Sequence, residues 1–404
     1  MWPYNHGRPG MVPGGITPKQ KPALFAHAAS DRRWKWGAGE NPVMGVRKIE
    51  GNLTLPERIV FFNVNGSGMG HLNRCLAYAR RLQAQATPVF FSLASAMEII
   101  EEMGFCGDYF VSHYWSADST FSWNSELAVR FAMFLERVRP RVVVFDGTWP
   151  FQGFMAACRA YGVSSLVWSN RGLLKSDLAQ VNVDEAAFDL VVQPGEPGQI
   201  IETTDIQSGG RRLLVPPVCL LDEDELLTRT QAREQLGLPS DQACVLFSLG
   251  PGNLKDVSGI GFGLIDLFEK HGFQVLWARP PISVQDAVLP DTVRPLSLYP
   301  LARYLRAFDV FVGAAGYNTC CELMQARIPS LLVPNEHLAD DQQKRAQHMA
   351  TCMPVVVSAC ANKEMQQQAV EQILMYARSN QGAVYPETAM NGADLAARAI
   401  LRLC

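Results

Sequence analysis

The sequence predicts an α/β fold of two domains, each with a parallel sheet covered by helices on both faces. The chain has 404 residues, more than one ordinary domain holds. From residue 58 onward, short apolar runs rich in β-forming residues alternate with helical stretches. The alternation breaks at Val215-Pro216-Pro217-Val218 and then begins again. Because paired prolines disfavour both helix and central strand, this break predicts a linker between two Rossmann-like halves.

In the first half the elements follow one another at short intervals. Each expected strand is a short apolar run, as in Val142-Val143-Val144-Phe145, which is typical of a strand buried on both faces. Each expected helix places apolar residues three and four apart, as in Leu72, Leu76, Ala79 and Leu82. The expected strands are 58–64, 88–93, 141–146 and 164–169, and the expected helices are 71–82 and 153–161.

The second half repeats the pattern after the linker. Its first strand ends in the glycine-bearing turn Gly250-Pro251-Gly252-Asn253, and a later strand ends in Gly313-Ala314-Ala315-Gly316. The expected strands are 243–249, 273–279, 309–313 and 330–333, and the expected helices are 257–271, 318–326, 340–351, 362–378 and 388–402.

These patterns divide the chain into four segments. Residues 1–57 are rich in Pro, Gly, Lys and Arg without a sustained apolar period, which predicts a poorly ordered extension. Residues 58–215 and 219–385 are the two expected domains, and 386–404 contain a closing helix. The basic, tryptophan-bearing stretch Arg32–Trp36 leaves contact with an anionic membrane surface open as an alternative.

Composition narrows the class of protein. The formal net charge is −3, whereas a general nucleic-acid binder usually has a clear basic excess. No run approaches about 18 consecutive apolar residues, and the polar N-terminus lacks the apolar region of a secretory signal. None of the ten cysteines forms a Cys-x-x-Cys pair. We therefore expect a cytoplasmic protein with free thiols.

The first glycine loop, 65–70, lies where open α/β sheets bind ligands, outside the carboxyl end of a strand. Gly68 and Gly70 would let the backbone approach a phosphate. A dinucleotide fingerprint would also need glycine at the position of His71, and the next strand lacks the acidic residue at its end. The pattern therefore disfavours a nicotinamide-dependent oxidoreductase.

His71 and Asp146 are the candidate acid–base residues of the first domain. His71 begins a helix, where the dipole favours a neutral ring that accepts a proton. Asp146 ends a strand at the same rim and would bond the second imidazole nitrogen. The alternatives are a capping or core-edge histidine and a turn or helix-capping aspartate.

The segment 309–346 has the most specific pattern. A glycine turn leads to Thr319-x-x-Glu322, a proline-flanked strand follows, and Asp341-Gln342 opens the next helix. This resembles the nucleotide-sugar-binding half of GT-B glycosyltransferases of the MurG-like and UDP-glycosyltransferase families. The stretch from Gly68 to Arg74 resembles the opening loop of the same group and that of PseG-type nucleotide-sugar hydrolases. The resemblance extends over about 58–360.

Two departures from the family pattern stand out. Related sequences often have Asn-Ala where this chain has Arg345-Ala346, and Met69 separates Gly68 from Gly70, where the MurG-type opening usually has a Gly-Gly pair.

The resemblance implies a GT-B fold, in which two Rossmann-like domains face each other across a cleft and the last helix returns to the first domain. It also implies the binding roles. Glu322 would accept the ribose hydroxyls, and Asp341 and Gln342 would bind the donor sugar. The residues implied for the donor diphosphate are Gly68, Gly70, Gly250, Gly252, Asn253, Gly316, Asn318 and Thr319. Thr319-x-x-Glu322 also matches a helix capping box, and Asp341-Gln342 also fits a solvated helix start.

The function implied is that of a hexosyl- or N-acetylhexosaminyl-type transferase. It would move a sugar from a nucleotide diphosphate sugar, most simply a UDP-sugar, to an acceptor hydroxyl, with His71 as general base. We expect inverting transfer that needs no metal and no cofactor. We also expect no nucleic-acid partner. The expected acceptor is either a small molecule or a lipid-linked one. A lipid-linked acceptor would place the enzyme peripherally at the inner membrane face. A PseG-type hydrolase that uses water, and a non-catalytic GT-B binding protein, remain alternatives. A related sugar epimerase is disfavoured because its His-Arg-Arg run is absent.

Overall fold

The computed structural model describes residues 56–64, 68–170, 173, 184–199, 211–250, 258–282, 288–335, 340–379 and 391–404. Residues 1–55 of the predicted extension, including the Arg32–Trp36 stretch, lie outside the described residues. None of the helices in the described ranges combines the length and apolar character needed to cross a membrane.

The first sheet has seven parallel strands. They are β1 (Arg58–Asn63), β2 (Thr87–Ser92), β3 (Cys106–Tyr109), β4 (Val142–Asp146), β5 (Ser165–Ser169), β6 (Leu190–Pro194) and β7 (Arg212–Val215). The helices between them are α1 (Gly70–Leu82), α2 (Met97–Glu102), α3 (Thr120–Val138) and α4 (Gln152–Tyr161). The strand order is β3-β2-β1-β4-β5-β6-β7. The order therefore reverses between β1 and β4, which is the switch point where such sheets bind ligands.

An aromatic cluster holds the helices onto this sheet. Phe62 of β1 stacks on Phe91 of β2 and Phe145 of β4, each with ring centroids 5.4 Å apart. Phe131 of α3 and Phe154 of α4 meet the Phe62 ring edge-on at 5.1 and 4.9 Å. Edge-to-face and offset rings of this kind pack densely. Because helices cover both faces, the strands can be apolar throughout, as their sequences are.

The second sheet has six parallel strands. They are β8 (Cys244–Ser248), β9 (Gln274–Ala278), β10 (Arg294–Leu296), β11 (Val310–Gly313), β12 (Ser330–Leu332) and β13 (Val355–Val357). The helices are α5 (Arg229–Leu236), α6 (Ser258–Lys270), α7 (Tyr317–Ala326), α8 (Gln342–Cys352), α9 (Lys363–Ser379) and α10 (Gly392–Leu401). The order is β10-β9-β8-β11-β12-β13, so its switch point lies between β8 and β11.

The last helix, α10, lies against helix α1 of the first domain. The amide of Gly392 donates to the carbonyl of Pro217 at 3.0 Å. A Cβ atom at position 392 would lie 1.9 Å from the carbonyl oxygen of Pro216, so only glycine allows this approach. Asp394 pairs with Arg81 of α1 at 3.2 Å. These contacts join the C-terminal segment to the first domain.

The central strands are predicted well and the peripheral elements are not. Strands β1, β2, β4, β5, β8, β9, β11 and β12 are confirmed to within a residue at each end. The elements that the sequence did not predict are α2, α3, α5, β3, β6, β7, β10 and β13. Most of these are short or lie towards the sheet edges.

Candidate functional site

The switch points of the two sheets face each other across one cleft of about 700 Å³. On one side β1 and β4 end together, since Asn63 and Asp146 are register partners. On the other side β8 and β11 end together, with Ser248 opposite Gly313. Each pair of strands contributes its following loop to the cleft, so four strand ends converge on one space.

The carboxylate of Asp146 holds the first-domain side together. Its Oδ1 accepts from His71 Nδ1 at 2.6 Å and from Arg74 Nη2 at 2.5 Å, and its Oδ2 accepts from Arg74 Nε at 2.7 Å. Asp146 is fully buried, and His71 and Arg74 nearly so. Because Nδ1 donates to the carboxylate, Nε2 is the basic nitrogen of the neutral ring. This is the arrangement in which a carboxylate orients a histidine base.

Charge compensation keeps Asp146 ionised despite its burial. Burial alone would raise its pKa, but the charge of Arg74 and the hydrogen bond and charge of His71 lower it to about 2. Burial likewise disfavours the charged form of Arg74, yet Asp146 raises the pKa of this guanidinium above its usual range. The pair is therefore charged across the whole neutral range.

Arg74 is a functional candidate that sequence reasoning overlooked. In the sequence it stands out only as the last residue of the Gly68–Arg74 stretch that resembles the family's opening loop. It lies three residues after His71 on α1, and residues three apart share one helix face. This spacing was the signal that could have placed Arg74 beside Asp146.

The second-domain side is built around the start of helix α7. The residue before the helix is Gly316, which has no side chain to cap it. No side chain of a described residue accepts from the N–H groups of the first turn. A Cβ at Gly316 would lie 3.6 Å from Thr319 Oγ1, so glycine keeps the space above this hydroxyl open. A helix N-terminus with uncapped N–H groups is suited to an anion.

Glu322 lies one turn further along α7, beside Thr319 in the cleft lining. Burial raises the pKa of its carboxyl to about 7. Within the described part of the chain, no hydrogen bond or ion pair holds this carboxylate. Among the described residues this acceptor therefore has no donor, which is what a ribose with two hydroxyls requires.

Two side-chain hydrogen bonds join the walls of the cleft. Tyr299 donates its hydroxyl hydrogen to Asn73 Oδ1 at 2.8 Å, and Asn318 Nδ2 donates to the Gly70 carbonyl at 3.4 Å. Gly70 and Gly68 both line the cleft, and a Cβ at either position would meet no atom within 4 Å. The opening loop therefore leaves room at this end of α1.

The loop after β8 is only partly described. Gly250 lines the cleft, and its φ of +105° is a conformation that favours glycine. Gly252 and Asn253, the other two residues predicted for this loop, lie outside the described residues.

Position 341 differs from its neighbours. Asp341 Oδ1 accepts from the Lys344 amide at 3.0 Å and caps helix α8, and this side chain is not part of the cleft lining. Asp340 and Gln342 do line the cleft, and Gln342 Oε1 accepts from the Asn335 amide at 3.0 Å. The donor-sugar roles of Asp341 and Gln342 stay predictions, while Asp340 is a candidate that the sequence did not single out.

One acidic triplet lies away from the cleft. Asp222-Glu223-Asp224 has the Asp-x-Asp spacing that can serve a metal, but Asp222 Oδ1 accepts from Arg81 at 2.5 Å and from Asn391 at 2.7 Å. Glu223 pairs with Arg306 at 3.2 Å. Among the residues described, no group of three or more His, Cys, Asp or Glu side chains is placed to hold a metal ion. Metal-independent transfer stays a prediction.

Aromatic side chains form the outer part of the first-domain wall. Phe121 and Tyr114 are 82% and 55% exposed and both line the cleft. Trp149 and Phe151, after β4, also line it. Large apolar side chains left in water at a cleft mark a binding surface. This wall offers flat apolar area in the same cleft as the candidate base.

Comparison with known proteins finds a family match that falls mainly within the second domain. Residues 287–397 match the family model described as the glycosyltransferase family 28 C-terminal domain. A curated relative from Bacillus licheniformis is 27% identical over 117 residues. Its name is UDP-N-acetylglucosamine--N-acetylmuramyl-(pentapeptide) pyrophosphoryl-undecaprenol N-acetylglucosamine transferase. The match covers 27% of this chain and 32% of the relative, so the chain spans about a third of the length of the curated relatives it matches.

Solved structures match over both domains. MurG of Acinetobacter baumannii superposes with a TM-score of 0.52 at 13% identity, covering 86% of this chain and all of that one. The UDP-GlcNAc 2-epimerase of Neisseria meningitidis, solved with UDP-GlcNAc bound, superposes with a TM-score of 0.59 at 11% identity, covering 86% and 99% of the two chains. The predicted GT-B fold, with two Rossmann-like domains across a cleft, and its MurG-like resemblance are thus confirmed.

Proposed function

We propose that the protein is a glycosyltransferase that moves a sugar from a UDP-sugar to an acceptor hydroxyl. One observation carries the proposal. The buried His71–Asp146–Arg74 group and the uncapped start of helix α7 with Glu322 meet in a single cleft. One side offers an oriented base and the other an anion site beside the carboxylate of Glu322, which no described residue pairs with. The match of residues 287–397 to a glycosyltransferase domain supports the same assignment.

The reaction places each group in a role. The acceptor hydroxyl gives its proton to Nε2 of His71 while its oxygen forms a bond to the anomeric carbon of the donor sugar. The bond from that carbon to the diphosphate breaks, and UDP leaves with the electron pair, which inverts the configuration. Asp146 stabilises the imidazolium as it forms. The N–H groups of α7 at Gly316–Thr319 meet the charge that develops on the diphosphate.

The donor side fits a uridine diphosphate sugar. In the proposal, Glu322 accepts the ribose hydroxyls and the backbone near Gly250 and Gly316 holds the diphosphate. Asp341 and Gln342, proposed for the donor sugar, lie at the start of α8, and Asp340 beside them lines the cleft. The relative from Bacillus licheniformis is named for an N-acetylglucosamine donor, so N-acetylhexosaminyl transfer is the first form to test.

The acceptor side favours transfer over hydrolysis. Water needs little room, whereas the cleft that His71 lines also has the exposed rings of Phe121 and Tyr114. These side chains suit the apolar body of an acceptor that presents a hydroxyl to the base. The named relatives act on a lipid-linked acceptor, and an acceptor of that kind would require peripheral contact with a membrane.

The test is incubation with a panel of UDP-sugars, with UDP-N-acetylglucosamine first, followed by mass spectrometry of nucleotide and sugar products. Variants His71→Ala and Glu322→Ala run alongside. We expect tight binding of one UDP-sugar with slow release of UDP, weakened by Glu322→Ala. A candidate acceptor should then accelerate UDP release in the wild type but not in His71→Ala.

Two results would contradict the proposal. Rapid turnover to free sugar and UDP without an acceptor, lost in His71→Ala, would identify a hydrolase that uses water as the acceptor. Failure to bind any UDP-sugar of the panel would remove the nucleotide-sugar assignment itself.

A further inference from the structure

Arg345 occupies a position that the family resemblance does not explain. We propose that Arg345, Tyr317 and Glu196 form a clamp between the domains that positions the start of helix α7 against the His71 site. The inference rests on the proposed function, because it concerns the same cleft. It assigns these three residues as positioning residues, not as groups that touch the substrate.

Arg345 joins three parts of the protein from a fully buried position on helix α8. Its Nε donates to Glu196 Oε2 at 2.6 Å, and Glu196 follows β6 of the first domain. Its Nη1 and Nη2 donate to both carboxylate oxygens of Asp340 at 3.0 and 2.8 Å. Nη1 also donates to the carbonyl of Ala315 at 3.2 Å, within the turn that leads into α7. A planar guanidinium can make this set of contacts, whereas a shorter side chain cannot.

Tyr317, the first residue of α7, continues the connection. Two guanidinium groups lie over its ring, that of Arg345 at 5.7 Å and that of Arg74 at 5.8 Å from the ring centroid. Its hydroxyl accepts from the Val218 amide at 3.0 Å and donates to the Gly195 carbonyl at 2.9 Å. The start of α7 is therefore fixed to the first domain and to the linker.

The contacts form one continuous column. It runs from Asp340 in the second-domain lining of the cleft through Arg345 and Tyr317 to Arg74. The guanidinium of Arg74 in turn bonds Asp146, the partner of His71. Buried ion pairs contribute little net stability, because desolvation offsets their attraction. Their geometry is strict, however, and a column that crosses the domain boundary fixes distance and orientation. The anion site of α7 is held in place relative to the base by these contacts.

The test compares Glu196→Gln and Tyr317→Phe with the wild type. Glu196→Gln keeps the shape but removes the charge that Arg345 meets on the first domain, and Tyr317→Phe removes only the two hydroxyl contacts. The matched control is Glu185→Gln, which removes the charge from the Glu185–Arg212 pair in the same domain, at the surface. The measurements are UDP affinity by calorimetry, kcat and donor KM for transfer, melting temperature, and hydrogen exchange of the amides at 314–319.

Misplacement by an ångström can lower a rate by about 100-fold, so we expect kcat to fall about 10- to 100-fold in Glu196→Gln. UDP affinity and donor KM should stay close to wild type, because the donor site lies mainly on the second domain. Exchange at 314–319 should become faster in Glu196→Gln and Tyr317→Phe and stay unchanged in Glu185→Gln. That combination supports the clamp.

Other results overturn it. Unchanged kcat and exchange in both variants would show that the contacts position nothing. A parallel fall of kcat, UDP affinity and melting temperature would show a role in stability alone. If the wild type binds no UDP-sugar, the proposed function fails while the exchange measurement still decides about the clamp: faster exchange at 314–319 only in the two clamp variants supports it, and unchanged exchange overturns it.

Discussion

Two carboxylates face the same cleft in opposite states. Asp146, at the end of β4, is fully buried and accepts three N–H hydrogen bonds from His71 and Arg74. Glu322, on helix α7 across the cleft, has no hydrogen bond or ion pair within the described residues. Burial raises the pKa of Asp146, but its partners outweigh burial and lower this pKa to about 2. Burial raises the pKa of Glu322 to about 7.

The difference between the two carboxylates indicates two tasks: Asp146 fixes the geometry of its neighbours, and Glu322 is available to bind a ligand. On the first-domain side the protein supplies both charge and countercharge, so the geometry of the candidate base is fixed without a ligand. On the second-domain side an acceptor and a set of N–H groups are left for a ligand to satisfy. Loss of a first-side group should therefore damage catalysis and stability together, whereas loss of a second-side group should damage affinity alone.

The largest expected effect comes from Asp146→Asn. The substitution removes the charge that orients His71 and leaves Arg74 buried without its partner. We expect kcat for transfer to fall by about 10³- to 10⁴-fold, as for other histidine bases that lose an orienting carboxylate. The free energy of unfolding should fall by about 3 to 5 kcal/mol, because an uncompensated charge stays buried. Steady-state transfer and urea unfolding measure the two effects.

The control for this prediction is Asp309→Asn. Asp309 pairs with Arg233 at 3.0 Å in the second domain, on the far side from the cleft lining. It should lower stability and leave kcat near wild type. An acid titration adds a second check, since the stabilisation from Asp146 is present above pH 3.8 and is lost as the pH falls towards about 2. Full activity in Asp146→Asn would show that the charge of Asp146 is not needed to orient His71.

The second prediction concerns Glu322→Gln. Hydrogen bonds to a charged acceptor contribute about 1.5 to 3 kcal/mol, so affinity for a UDP-sugar should fall about 10- to 100-fold with little change in kcat. The wild-type affinity should rise with pH through about 7, as the carboxylate forms, and the variant should show no such rise. Calorimetry between about pH 6 and about pH 8 measures both.

Stability should respond in the opposite sense. A carboxyl whose folded pKa lies above its unfolded value of 4.5 favours the folded state at low pH, and this contribution is lost as the pH rises to about 7. Glu322→Gln should remove this part of the pH dependence of unfolding without donor. A variant that keeps both pH dependences would show that another group titrates.

The smallest expected effect is that of Phe121→Ser in the aromatic wall. Phe121 is 82% exposed, so its removal should leave the melting temperature within about 1 °C, as for most surface substitutions. The acceptor KM should rise a few-fold, and the donor KM should not change. Met133→Ser is the matched control, because Met133 is 63% exposed on the same helix α3 but does not line the cleft. Equal effects of the two substitutions would rule out a specific acceptor contact at Phe121.

The fold was predictable where burial is uniform. Strands such as β4, with the residues Val142–Asp146, are enclosed on both faces, so their apolar runs are unambiguous. Helix α3 was missed although Trp123, Leu127, Phe131 and Phe134 are buried at helical spacing. Its other faces expose Phe121, Val129 and Met133, which hides the apolar stripe in the sequence.

The candidate site was predictable only in part. His71, Asp146 and Glu322 belong to motifs at strand ends or helix starts, so local sequence identified them as candidates. The partner of Arg74 is 72 residues away and could be inferred only through the helical spacing of Arg74 from His71. The partner of Arg345 is 149 residues away, and no local signal names it. The catalytic and binding roles of all these residues stay predictions until the variants are measured.

The sequence by itself determined the two α/β halves, because they depend on local periodicity. The linker at 215–218 stays a prediction from its paired prolines. Only the tertiary structure decided that Asp341 caps a helix while Asp340 lines the cleft, and that Arg345 reaches Glu196. Adjacent residues on a helix point in different directions, and a side chain's partner depends on how two separately folded sheets meet. That meeting is a property of the packed chain, which no local pattern specifies.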